Sequence, residues 1–175
     1  WALNGLYAGR RDLYQRMPFD ASSRVYSDDN TSRIHYLLSR QVAVSAGEYL
    51  YRQHDASATH RFDLRRLDFL AANRSLRSLL EQHQANADIL MACEEHCWRN
   101  YVGLYLQFRR HWSAFSPQAH QQIRDAFKAS LQAMHPERLP RGLRWSPSWL
   151  FVRPFSLFCA YRRLLSGLKK IFKPI

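Results

Sequence analysis

Cysteine is scarce in this sequence, and acidic residues disappear from its last stretch. Only Cys93, Cys97 and Cys159 occur, too few for a disulfide framework and in keeping with a reducing compartment. Six glycines and seven prolines in 175 residues exclude a collagen-like or linker-like chain. Unbroken apolar runs such as 149–152 fall far short of the roughly 20 residues that a membrane-spanning helix needs. Several chemical signatures are also absent. There is no Asp-x-Asp, no glycine-rich phosphate loop, no His-Glu-x-x-His and no Gly-x-Ser-x-Gly elbow, so hydrolase chemistry has no support. What remains is ordinary globular material: 46% hydrophobic and 23% charged residues, one domain's worth of chain.

Charge is the informative part of the composition. The net charge is +12, and it is unevenly placed. After Glu137 no acidic residue occurs, while nine basic ones do: Arg138, Arg141, Arg144, Arg153, Arg162, Arg163, Lys169, Lys170 and Lys173. Such asymmetry points to an anionic partner for the tail. The chain starts at Trp1 with neither an initiator Met nor a signal-peptide pattern, which reads as a piece of a longer protein.

Three segments follow from the hydrophobic pattern. In residues 1–62, Ile34, Leu37 and Leu38 mark a helix capped by Asn30 or Thr31, with Asp20 to Asp29 a polar loop before it. Val42 and Val44 alternate as a short strand, and Tyr49 to Arg52 reads as a second one. Residues 63–137 turn to helical period: Leu64 to Leu80, then Ala85 to Trp112, then a helix opened by Ser116-Pro117. Residues 138–175 form a basic aromatic tail. The expected fold class is α/β, a partial domain with short strands followed by a mainly helical extension.

Two features of the first segment carry chemistry. Asp28-Asp29 is a carboxylate pair opening a helix, and Tyr49-Leu50-Tyr51-Arg52-Gln53-His54 is an aromatic strand running into a polar loop. Together with Trp1, Leu6 and Tyr7, their order resembles the acceptor-side half of the inverting family 2 glycosyltransferases, which have the GT-A fold. The resemblance covers roughly the first 60 residues. It implies transfer of a sugar from a nucleotide-sugar donor to a saccharide or lipid-linked acceptor, as in polysaccharide biosynthesis, with a divalent metal, Mn or Mg, as cofactor. Asp28 or Asp29 would be the general base, since an attacking hydroxyl acidifies as its bond forms. The family's acidic motif usually begins with Glu, so either Ser27-Asp28 or Asp28-Asp29 could be in register. Arg52 and His54 would face the leaving diphosphate. The donor half would lie upstream or on another chain, and these 175 residues alone are expected to be inactive. The bland readings are a helix-capping acidic pair and a solvated strand end.

Cys93-Glu94-Glu95-His96-Cys97 brings metal-ligand types together, but His96 points away from Cys93 on a helix, so the two cysteines read as small apolar residues at a helix interface. The tail has clearer logic. On a helix, Leu157, Phe158, Tyr161, Leu164, Leu165, Leu168, Ile171 and Phe172 share one arc, with Arg162, Arg163, Lys169, Lys170 and Lys173 opposite and Trp149 preceding them. That pattern suits an anionic membrane surface, with the protein peripheral on the cytoplasmic face. The competing reading packs the apolar arc on the protein's own core. No nucleic-acid recognition motif accompanies the basic residues. The rival to the transferase reading is a non-catalytic basic helical module that docks on a membrane surface or nucleic acid.

Overall fold

The structure, a computed structural model, describes residues 7–23, 28–44, 46–48 and 62–144, together with Leu157, Ala160, Tyr161 and Leu164. Its helices are α1 (Arg11–Arg16), α2 (Asp28–Leu38), α3 (Asp68–Gln82), α4 (Ala87–Arg110), α5 (Pro117–Gln132) and α6 (Arg141–Arg144), with 3-10 turns at Leu64–Leu67, Trp112–Ala114 and Pro136–Arg138.

Local chemistry sets the boundaries. Asn86 Oδ1 accepts the Ile89 amide at 2.9 Å and opens α4. Ser116 Oγ accepts the Ala119 amide at 3.2 Å, and Pro117 occupies the first position of α5, where no amide hydrogen is needed. Between α3 and α4 the chain reverses through Gln84, whose φ of 52° is left-handed. Its neighbours close the helix end: Ala85 donates to the Leu80 carbonyl at 2.9 Å and His83 to that of Leu79 at 3.0 Å.

Helices α3 and α4 form an antiparallel hairpin; α2 and α5 pack on it, and α1 packs on α2. One core lies toward the C-terminal half of α4. There Phe127 of α5, fully buried, takes edge contacts from Tyr101, Tyr105 and Phe108, with Leu70, Ile123 and Leu139 around it. A second core joins Met17 and Ile34 to Leu76, Leu80, Cys93 and Cys97. Burial of such side chains contributes roughly 1.5–3 kcal/mol each.

The α/β expectation is overturned. Among the described residues there is no strand, and the GT-A resemblance falls with it, because that fold is built on a sheet. The physical reason is visible at Val42 and Val44, which are 60% and 98% exposed. Two alternating valines define a face, but without a neighbouring strand their backbone groups remain in water. The supposed second strand, Tyr49 to Arg52, lies outside the described residues. Helical period wins wherever enough apolar residues follow it: all three helices expected between Leu64 and Met134 are present.

Candidate functional site

Asp28 and Asp29 do not sit in a loop ahead of a helix; they are the first turn of α2. Asp28 is exposed and its Oδ1 accepts the Asp29 amide at 3.1 Å. Asp29 is half-buried, and burial, with the Asp28 charge beside it, holds its carboxyl above the ordinary value despite the nearby Arg33. The residues expected to cap the helix have other tasks. Asn30 Nδ2 donates to the Ala72 carbonyl and to Asp20 Oδ2, both at 2.8 Å, and Thr31 Oγ1 accepts the Asp20 amide at 2.9 Å.

Asp20 is therefore a junction. Its carboxylate also accepts Ser75 Oγ from α3 and the amide and hydroxyl of Ser22, each at 2.9 Å. Burial is the largest influence on it and raises its pKa, but the donors from Asn30, Ser22 and Ser75 outweigh burial and leave it below the ordinary value. These bonds tie the loop after α1 to α2 and α3. They explain the carboxylate without any reacting group.

A second polar centre crosses the α3–α4 seam. Arg77 donates through Nε to Glu94 Oε2 at 2.8 Å and through a terminal nitrogen to Glu94 Oε1 at 2.9 Å. Both residues are buried, Glu94 completely. Glu94 Oε1 also accepts the His135 amide at 2.9 Å, so the pair fastens the link after α5 to the hairpin. Close by, the Cys93 and Cys97 sulfurs lie 4.0 Å apart on one face of α4. His96 turns away from them and accepts Asn100 Nδ2 at 3.0 Å. Among the described residues no group of three or more His, Cys, Asp or Glu side chains gathers that could hold a metal ion. The divalent cofactor was an implication of the GT-A resemblance alone, which would hold it in the donor half, and it loses that support with the fold.

Arg52 and His54, the expected diphosphate contacts, lie outside the described residues, as do Trp149, Phe158, Arg162, Arg163, Leu165, Leu168, Lys169, Lys170 and Phe172 of the tail. The described start of this segment is tied to the helical body. Leu139 is 2% exposed in the core, Arg138 pairs with Glu81 of α3, and an Arg144 terminal nitrogen donates to the Glu137 carbonyl. The chain is thus held to the body as far as Arg144. Farther on, Leu157, Ala160, Tyr161 and Leu164 are helical, on one stripe by their spacing. Leu157 is 48% and Leu164 66% exposed. Among the described residues no helix is long and apolar enough to cross a membrane.

No protein-family model matches this chain, and neither does any curated protein or solved structure.

Proposed function

We propose that this protein is a non-catalytic helical module that docks on an anionic membrane surface through its basic C-terminal segment. Glycosyl transfer was carried by the GT-A resemblance, and with that fold gone the acidic pair alone does not argue for it. The observation that carries the docking reading is the exposure of Leu157 and Leu164 on one helical stripe. If the apolar arc packed on the protein's own core, those two side chains would be buried. They stand instead in a segment with nine basic residues and no acidic one after Glu137.

Two independent forces then act together. Moving each leucine from water into the acyl boundary is worth roughly 1.5–3 kcal/mol when burial is complete. Each basic residue near an anionic surface adds about 1 kcal/mol, less what salt screens. Attachment through an interfacial helix is reversible. The cytoplasmic face belongs to this proposal, since anionic lipids and a reducing environment for three thiols coincide there.

Vesicle co-sedimentation tests it. Binding should require phosphatidylserine, weaken as salt rises, and fail when Leu164, Leu165 and Leu168 become Ser. Equal binding to phosphatidylcholine vesicles would remove the electrostatic part. Retention of binding by the triple variant would return the apolar arc to the core-packed reading, and preference for duplex DNA over vesicles would redirect the basic tail to nucleic acid.

A further inference from the structure

We propose that the Arg40–Gln41 bond is a processing site, cut in the folded protein by trypsin-like proteases, and that the α1–α2 piece stays docked after the cut. This goes beyond membrane docking and does not depend on it. Helix α2 ends at Leu38. Arg40, Gln41, Val42, Ala43 and Val44 follow outside any helix, and every one of them is exposed, Val44 to 98%. Among the described residues, no hydrogen bond, ion pair or ring contact involves any of these five.

A protease takes its substrate as an extended strand whose backbone groups pair with the walls of the cleft. A segment whose backbone is committed elsewhere must first open locally. Residues 40–44 have no such bonds to give up, and exposed segments of this kind are where folded chains are nicked. Side-chain exposure alone is not enough. Arg16 and Arg99 have side chains 55% and 69% exposed, but their backbones belong to α1 and α4, so a cut there requires the helix to open. The guanidinium of Arg40 sets the class of enzyme. A basic side chain just before the cut bond fits the pocket that trypsin-like enzymes close with an aspartate.

The step is a hydrolysis and no electrons change hands. The C–N bond between Arg40 and Gln41 breaks; water gives its hydroxyl to the Arg40 carbonyl carbon and a proton to the Gln41 nitrogen. What holds the two pieces together lies away from the cut. Ile34 of α2 is fully buried and shares a core with Leu76, Cys93 and Cys97. Asn30 Nδ2 donates to the Ala72 carbonyl at 2.8 Å, and Ser75 Oγ donates to Asp20 Oδ2 at 2.9 Å. Cutting therefore turns α1 and α2 from a covalent neighbour of the α3–α4 hairpin into a bound one, whose retention depends on concentration.

The test exposes the full chain to a low ratio of trypsin and follows intact mass with time. Residues 1–40 and 41–175 should appear as a pair whose masses sum to that of the chain plus one water. They should appear at least about tenfold sooner than pieces ending within α3, α4 or α5, and should elute together in size exclusion. The urea midpoint of the cut protein should fall on dilution while that of the uncut protein does not. Arg40→Gln should slow formation of the pair at least about tenfold, and Arg40→Lys should preserve it. Gln41→Pro keeps Arg40, removes an amide hydrogen that bonds to nothing in the described structure and should block the cut, with circular dichroism matching the parent. Absence of the pair, equally early cuts inside the helices, an unchanged rate in Arg40→Gln or Gln41→Pro, or separate elution of the two pieces would each overturn the proposal.

Discussion

Removing the Arg77 guanidinium should be among the most damaging single changes to the described fold. Arg77→Met keeps most of the side-chain stem but deletes both hydrogen bonds to Glu94. It leaves a fully buried carboxylate with the His135 amide as its remaining donor. Breaking a buried pair by removing one partner costs about 3–5 kcal/mol, chiefly because the other charge is stranded. Glu94→Leu adds a different injury, since the His135 amide loses its acceptor, worth about 1–3 kcal/mol, and the Arg77 charge is stranded in turn. Domains of this size have stabilities of about 5–15 kcal/mol, so either change should remove a substantial share. The double variant Arg77→Met/Glu94→Leu strands no charge and should be more stable than Arg77→Met alone, leaving mainly the orphaned amide. Urea unfolding of the full chain, followed by circular dichroism, gives all the corners of the cycle. Arg77→Met within about 1 kcal/mol of the parent, or a double variant whose loss equals the sum of the singles, would refute the reasoning.

Asp20 predicts a pH dependence. Its lowered native pKa means that its stabilisation is full above the unfolded value near ~4 and is lost as pH falls through the lower native value; Asp20→Asn should be less stable at neutral pH and should lose less on acidification, as acid titrations of unfolding would read. Gln84→Gly should raise the urea midpoint, by up to about 1 kcal/mol of stability, because the left-handed C-terminal position is free of side-chain strain only for glycine. Ser116→Ala should cost about 1 kcal/mol in the same assay by removing the cap of α5.

The helices α3, α4 and α5 were legible because each repeats apolar residues every three or four positions over many turns, and Ser116-Pro117 announced its own helix. The first 60 residues misled because their motifs are short. Val42 and Val44 alternate as a strand would, yet nothing among the described residues pairs with them. Asn30 and Thr31 look like caps, but their side chains reach across to Ala72 and Asp20, partners that no local pattern could name. The Arg77–Glu94 pair was missed although a signal existed. Arg77 lies on the buried stripe of Leu70, Asn73 and Leu80, and Glu94 on that of Cys97, Tyr101, Leu104 and Phe108. Opposite charges on the buried stripes of consecutive helices predict a buried partnership. That spacing holds whatever the fold class, whereas the Asp28-Asp29 reading depended on a sheet.

Arg144 is the last residue of α6, and shortening the chain there gives the most direct test of the docking proposal. Co-sedimentation with phosphatidylserine vesicles should be compared for the full chain and for a chain ending at Arg144, after circular dichroism has established that both are equally helical over α2 to α5. The proposal predicts that the full chain pellets with the vesicles and the shortened chain stays in the supernatant. Pelleting of both would place the contact on the helical body, and pelleting of neither would contradict membrane docking altogether.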